Sequence, residues 1–110
     1  MIARTWRGAV RAADGDAYLD YLGRTGLPAF HSTIGNRGAA VLRRLAEGRA
    51  EFLIVSFWDS IDAVRRFAGE DESRARFFPE DDRFLVARDL HVDHYDVVYT
   101  AGAPLGAGVE

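Results

Sequence analysis

Three histidines are the side chains whose ordinary pKa suits proton transfer near neutral pH. His91 and His94 lie three residues apart in a predicted strand, so their side chains should point to opposite faces and form a poor metal pair. The neighbouring carboxylates Asp93 and Asp96 have the same spacing problem. We therefore predict no metal site. His94 is a candidate base, and a hydrogen-bonded structural histidine is the alternative.

Aromatic side chains form a second group that could take part in binding. Tyr18 and Tyr21 share one face of a predicted helix, and Phe30 and His31 follow it. Together they could form an aromatic wall for a flat ligand, although packing against a sheet explains the same spacing. Trp58 ends an apolar run and could line the mouth of a pocket, or it could be a core residue.

Two polar clusters have equally plain structural explanations. Asn36 lies among glycines, where asparagine can donate to an oxyanion but more commonly forms a turn. The acidic run Glu80-Asp81-Asp82 could bind a cation, but it also suits the positive end of a helix dipole. Gly35-Asn36-Arg37-Gly38 lacks the strand and helix that frame a phosphate loop.

Composition excludes several classes of function. The chain has no cysteine, which removes disulfides, thiolate nucleophiles and thiolate metal sites. All of its 14 basic residues are arginine, so no lysine is present for Schiff-base chemistry. The net charge is -3 and the arginines are scattered, whereas binding to nucleic acid normally requires a basic stripe. We expect no nucleic-acid partner.

The length of 110 residues fits one domain, which we assign to residues 1–100, with residues 101–110 as a flexible tail of small residues. No stretch approaches the roughly 20 apolar residues of a membrane helix, so we expect a soluble protein without a membrane partner. The N-terminal residues show no signal-peptide pattern, and we expect a cytoplasmic location.

The order of the predicted elements indicates the fold. Strand one covers Ile2–Val10, and helix one ends near Arg24, before a loop at Leu27–Thr33. A hairpin follows, and Ser60 caps helix two. The remaining elements, in order, are strand two (Ala39–Leu45), strand three (Ala50–Trp58), helix two (Ile61–Ala68), a helical turn within Asp71–Arg76, a short helix with Pro79 at its first position, and a last strand at His91–Tyr99.

This order is the split βαββαβ pattern of ferredoxin-like α+β folds, in which both helices cover one face of an antiparallel sheet. The third strand is apolar at nearly every position from Phe52 to Trp58, as in strands buried on both faces. Covering the second face is worth several kcal/mol at about 25 cal/mol per Å². We therefore predict a homodimer that packs sheet on sheet.

The segment Phe57–Ala68, with Trp58-Asp59-Ser60 at its centre, resembles the antibiotic biosynthesis monooxygenase family of the dimeric α/β barrel superfamily. A strand-ending tryptophan and a serine two residues later belong to that family's pattern. The resemblance extends over Met1–Thr100. Further segments are similar to those of a bacterial subgroup: Arg4-Thr5-Trp6, Gly35-Asn36, Phe77-Phe78-Pro79-Glu80-Asp81 and His94-Tyr95.

The resemblance implies a cofactor-independent monooxygenase that deprotonates an aromatic or polyketide-like substrate, which then reacts with O2. Trp58 matches the family's pocket tryptophan by position. Asn36, His31, Tyr18 and His94 are the candidates for a donor or base, although their positions do not match a catalytic residue of the family. The expected substrate-binding residues are Tyr18, Tyr21, Phe30, Trp6 and Phe67. No cofactor is expected.

Other activities of the superfamily remain alternatives. A polyketide cyclase would use the same pocket without oxygen, and a small-molecule-binding homodimer would catalyse nothing. Heme degradation requires an axial histidine on or just after helix two in this family. Because Ile61–Leu90 contains no histidine, the sequence argues against that activity.

Overall fold

The computed structural model describes residues 1–102, which form one antiparallel sheet covered by helices. The strands are β1 (Ile2–Arg11), β2 (Asn36–Ala46), β3 (Arg49–Trp58), β4 (Leu85–Arg88) and β5 (Asp93–Asp96). The helices are α1 (Gly15–Arg24), α2 (Gly26–Ser32), α3 (Ile61–Ala68) and α4 (Asp81–Phe84), with a 3₁₀ turn at Ala12–Asp14.

β1 lies at the centre of an antiparallel sheet. The order is β2-β3-β1-β4, and β5 pairs with the same edge of β1 as β4. The register of β1 with β3 runs from Ile2 opposite Trp58 to Arg11 opposite Arg49. Helices cover one face only, so the predicted ferredoxin-like α+β fold is confirmed.

Local sequence signals explain two of the boundaries. Glu47 and Gly48 join β2 to β3 with φ values of 52° and 77°, as a two-residue type I′ turn requires. The Ser60 hydroxyl accepts from the Ala63 amide at 3.2 Å, so the predicted N-cap of α3 is confirmed.

The core lies between the sheet and the helices in two clusters. The larger one joins the buried Tyr18, Tyr21 and Leu22 of α1 to Phe52 and other strand residues. The smaller one contains Trp58 and the buried side of α3, Ala63, Val64 and Phe67. Phe30 of α2 packs against both clusters, so the core is continuous.

β3 differs between its two faces. Phe52, Ile54, Ser56 and Trp58 are buried beneath the helices, whereas Leu53, Val55 and Phe57 are only half-buried on the opposite face. The single chain therefore leaves an apolar stripe that no helix covers.

The predicted loop at Leu27–Thr33 is wrong, because most of it forms α2. Pro28 lies in the first turn, where its missing N–H has no intrahelical partner to lose. The Thr25 hydroxyl donates to the Tyr21 carbonyl at 2.8 Å and fixes the corner between α1 and α2.

The predicted last strand at His91–Tyr99 is also wrong in extent. Only Asp93–Asp96 forms β5, and β4 was not predicted. β1 has ten residues, so two short strands share its edge. His91 lies outside β5, in an isolated bridge with Arg74.

Two smaller predictions are corrected by aspartate side chains that accept hydrogen bonds from residues two or three positions away. Asp71–Arg76 forms no helix, because the Asp71 carboxylate accepts from the Ser73 amide and hydroxyl. α4 begins at Asp81 and not at Pro79, since the Asp81 carboxylate accepts from the Phe78 amide and closes a turn before the helix.

β2 begins at Asn36, three residues earlier than predicted, with an irregularity in register before Ala39.

No helix within residues 1–102 has the length and apolar character needed to cross a membrane. Of the predicted tail, residues 103–110 lie outside the described residues.

Candidate functional site

A cavity of about 60 Å³ lies between the helix-covered face of the sheet and the segment that leads into α4. Its walls are mainly aromatic. Its charged or hydroxyl-bearing side chains within the described chain are Arg4, Tyr18, Arg76 and Asp81. Besides Tyr18, the aromatic members of the wall are Trp6, Phe30, Phe67, Phe77 and Phe78.

Asp81 is the buried carboxylate of this cavity, with 4% of its surface exposed. Its Oδ2 accepts from the Phe78 amide at 2.6 Å, which fixes the side chain at the start of α4. Burial raises the pKa of Asp81, while the Phe78 amide and the charge of Arg88 oppose that shift. A carboxylate shifted in this direction is a stronger base than one in water.

Tyr18 lies beside Asp81 and also lines the cavity. Burial, together with the adjacent Asp81 charge, raises the pKa of the Tyr18 hydroxyl. The hydroxyl therefore stays neutral and acts as a hydrogen-bond donor. Its ring packs edge-on against Phe52 of β3, with the centroids 5.1 Å apart, so the sheet holds this α1 side chain in place.

Arg4 brings a positive charge to the cavity from the middle of the sheet. Only 4% of its surface is exposed. Its Nη1 donates to the Glu72 carbonyl at 2.6 Å and its Nη2 to the Arg74 carbonyl at 2.9 Å. Burial lowers the pKa of Arg4 to about 10, so it remains protonated at neutral pH.

His94 lies directly behind Arg4, with its Nε2 3.3 Å from Nη1 of the arginine. The two residues pair across β1 and β5. Burial, with the positive charge of Arg4, lowers the pKa of His94. The imidazole is therefore neutral at pH 7, and its unprotonated nitrogen can accept from the guanidinium.

Aromatic pairs build the remaining wall. Phe30 and Phe67 are 4.6 Å apart between centroids, and Trp6 meets Phe77 edge-on at 6.2 Å. The Arg76 guanidinium lies 4.9 Å from the ring centres of both Phe67 and Phe78. The wall of the cavity thus consists mainly of aromatic rings that pack against one another and against a cation.

Four of the predicted site residues line the cavity: Tyr18, Phe30, Trp6 and Phe67. Trp58 is fully buried behind them, with Nε1 donating to the Ser56 hydroxyl at 2.9 Å and its ring 6.0 Å from Phe30. Its position supports the aromatic wall from within the core.

The other predicted residues lie further from the cavity. The Tyr21 hydroxyl accepts from the Glu80 amide at 2.9 Å. Asn36 bridges the Phe57 carbonyl and the Gly38 amide, as a turn-forming asparagine does. His31 is exposed at the end of α2. His94 reaches the cavity only through Arg4.

Sequence reasoning missed Arg4 and Asp81 as site residues. The acidic run predicts a helix N-terminus, which explains Asp81 only in part. Arg4 and Asp81 both lie in segments that carry the family resemblance, yet nothing in the sequence shows that both side chains are buried at one cavity. Within residues 1–102, no cluster of acidic and histidine residues could hold a metal ion.

Comparison with known proteins establishes the fold. No protein-family model matches the chain, and no curated protein matches its sequence. A crystal structure from Bacillus cereus, of a protein provisionally named as an antibiotic biosynthesis monooxygenase, has a TM-score of 0.65 at 16% identity and covers 93% of this chain and 97% of its own.

Two solved structures of MhuD are also similar. The heme-degrading MhuD of Mycobacterium tuberculosis, with two hemes in its active site, has a TM-score of 0.59 at 17% identity over 93% of this chain and 100% of its own. A variant with two manganese protoporphyrin IX molecules per active site has a TM-score of 0.61 at 18% identity over 94% and 100%. At such identities the likeness concerns the fold alone.

None of the three histidines lines this cavity.

Proposed function

We propose that this chain is a cofactor-independent monooxygenase that acts, as a homodimer, on an aromatic or polyketide-like small molecule. The observation that carries the proposal is Asp81: a carboxylate that is buried in an aromatic cavity and whose pKa is raised by burial. Such a group can remove a proton from a carbon acid, because no hydration shell weakens the ionised carboxylate as a base.

The reaction can be written for an anthrone, in which a methylene group lies between two rings opposite a carbonyl. Asp81 takes one methylene proton, and the enolate that forms transfers its electrons to O2 to give a carbon-bound peroxide. The peroxide takes the proton from Asp81. Loss of the second C–H proton to Asp81 then breaks the O–O bond, so that the methylene becomes a carbonyl and the other oxygen leaves as hydroxide. The hydroxide takes that proton from Asp81 to form water, which returns Asp81 to its ionised form.

Tyr18 supports this assignment of Asp81. Its hydroxyl remains protonated beside the carboxylate, because burial and the negative charge of Asp81 both raise its pKa. The hydroxyl is hydrogen-bonded to Asp81, and once Asp81 has taken a proton it can turn to the carbonyl oxygen of a substrate, where negative charge develops. The pair thus combines a base with a hydrogen-bond donor.

The cavity must widen to admit such a substrate. Ligand sites usually have volumes of roughly 300 to 1,000 Å³, compared with about 60 Å³ here. The wall at Ala75–Phe78 belongs to no helix or strand, and Phe77 and Phe78 are half-buried. Displacement of this segment is the least costly way to enlarge the cavity, because few backbone hydrogen bonds hold it.

The homodimer is part of the proposal because one sheet face is left apolar. Leu53 lies beside Leu42 of β2, and Val55 lies between Thr5 and Ala40. These side chains form a stripe across three strands on the face opposite the helices. A second copy packed against it would bury the stripe, and at about 25 cal/mol per Å² this contact favours association.

Oxygen uptake with an anthrone tests the reaction. We expect the wild type to consume one O2 per quinone formed and the Asp81→Asn variant to lose activity by about 100-fold or more. Asparagine can still accept from the Phe78 amide, so the turn before α4 should survive. Asp82→Asn is the matched control, since Asp82 is exposed and pairs with Arg88.

The same experiment distinguishes the alternatives. Ring closure of a polyketide-like substrate without oxygen uptake would identify a cyclase. Saturable binding of the anthrone with neither oxygen uptake nor product would identify a binding protein, and either result would overturn the monooxygenase.

A further inference from the structure

Arg4 is a buried cation that has no acidic partner within the described chain. None of the ion pairs among residues 1–102 includes it. It contacts the backbone carbonyl of Glu72, whereas the carboxylate of that residue binds Arg65 at 3.3 Å. The charge of Arg4 is therefore balanced only by carbonyl dipoles and by His94.

The hydrogen bonds of Arg4 leave part of its guanidinium without a partner. Nη1 uses both of its donors, on the Glu72 carbonyl and towards His94, and Nη2 uses one on the Arg74 carbonyl. The Nε donor and one Nη2 donor have no partner among residues 1–102, since a guanidinium carries five N–H groups. No unpaired polar side-chain atom of the described residues is fully buried, so Nε reaches accessible space.

Burying an arginine without an acidic partner is costly, because desolvation of the charge is not offset by an opposite charge. Burial is the cause that lowers the pKa of Arg4 to about 10. A hydrophobic residue at this position would avoid that cost. A ligand that supplies a negative charge would offset it.

We propose that the cavity binds a planar aromatic acid whose carboxylate accepts from the free Nε and Nη2 donors of Arg4. The proposal rests on the proposed function and names its substrate class: an anionic aromatic compound, in preference to a neutral one. Two neighbouring nitrogens of a guanidinium suit the two oxygens of a carboxylate.

The surrounding charges orient such a ligand. His94 is neutral because burial and Arg4 lower its pKa, so it leaves the site with a single positive charge. Asp81 lines the same cavity, and the charges of Arg88 and Asp82 act on it. Because the ionised Asp81 repels another carboxylate, it directs the carboxylate of the ligand towards Arg4. Phe67, whose ring centre is 5.8 Å from Cζ of Arg4, offers a surface for the aromatic part.

Binding of 2-naphthoate, compared with the uncharged 2-naphthamide, tests the proposal by titration calorimetry on the full chain. We expect the wild type to bind the acid at least about tenfold more tightly than the amide. In Arg4→Gln this preference should fall to about one. Arg11→Gln, which removes an exposed arginine from the same strand, should keep the wild-type preference.

Three results would overturn the proposal: equal binding of acid and amide by the wild type, no binding of the acid at all, or loss of the preference in Arg76→Gln but not in Arg4→Gln. If Arg4→Gln does not fold, an NMR titration of the wild type, which follows the ¹⁵N resonance of the Arg4 Nε–H, takes the place of the binding measurement on the variant. That resonance should shift with 2-naphthoate and not with 2-naphthamide, and an unchanged resonance contradicts the assignment.

These readouts do not depend on turnover. Failure of anthrone oxidation with an intact preference for the acid would leave the anion site in place and remove only the monooxygenase reaction. Anthrone oxidation without any preference for the acid over the amide would retain the reaction and remove the anion site.

Discussion

The hydroxyl of Tyr21 on α1 accepts a hydrogen bond from the backbone amide of Glu80, the residue directly before α4, at 2.9 Å. This contact joins the long helix to the short one that carries Asp81. Tyr21 is buried and does not line the cavity. It is therefore a positioning residue for the candidate base.

Removing this hydroxyl should loosen the start of α4. We expect Tyr21→Phe to reduce the free energy of unfolding by about 1 kcal/mol, because the Glu80 amide loses its partner. The turnover number should fall while KM changes little. Urea unfolding and steady-state kinetics measure the two effects, with Tyr95→Phe as an exposed control. Unchanged turnover in a destabilised Tyr21→Phe protein would show a purely structural role.

The raised pKa of Asp81 predicts a pH dependence with a definite sign. The folded state holds the proton more tightly than the unfolded state, whose aspartate has a pKa of about 3.9. This contribution to stability is fully present below that pH and is lost as the pH rises through the folded-state pKa. Asp81→Asn has no such proton. Its stability relative to the wild type should therefore increase from about pH 4 upwards and then level off.

Activity should depend on the same ionisation in the opposite sense. Because a base must be unprotonated, kcat/KM for the wild type should rise with pH through the folded-state pKa of Asp81. A flat stability difference between the wild type and Asp81→Asn, measured by urea unfolding at several pH values, would show that burial does not shift this group.

The apolar stripe on the sheet predicts how the proposed dimer can be separated. Val55→Glu introduces a charge at the centre of the stripe, beside Thr5 and Ala40, without affecting the helix-covered core. We expect the variant to be a folded monomer in light scattering at micromolar concentration. Leu19→Glu on the outer side of α1 should remain a dimer. A monomeric wild type would refute the sheet-on-sheet assembly.

Trp58 is predicted to act through packing. Trp58→Phe removes the donor to the Ser56 hydroxyl and leaves space beside Phe30 and Phe67. We expect a loss of about 1 to 3 kcal/mol in stability and a reduced turnover, because the aromatic wall shifts. Thermal unfolding and oxygen uptake measure the two effects. Full activity and full stability together would exclude Trp58 from both roles.

Patterns with a local cause were readable from the sequence. The hairpin at Glu47-Gly48 and the Ser60 cap follow from the residues themselves, and the apolar spacing of Ile61–Ala68 identified α3. Predictions failed where distant contacts decided the outcome. β4 and β5 divide one edge of β1 between them, and no feature of 85–96 alone reveals that arrangement.

The sequence by itself determined the ferredoxin-like fold, the places of β1, β2, β3, α1 and α3, and the supply of aromatic residues, because hydrophobic spacing and caps act over a few neighbouring residues. Only the tertiary structure decided which polar groups share the cavity. Arg4 and Asp81 are 77 positions apart in the sequence, and their burial depends on the segment between α3 and α4 closing over β1. Burial of a charge is a property of its three-dimensional surroundings, so its chemical consequences cannot be read from residue type.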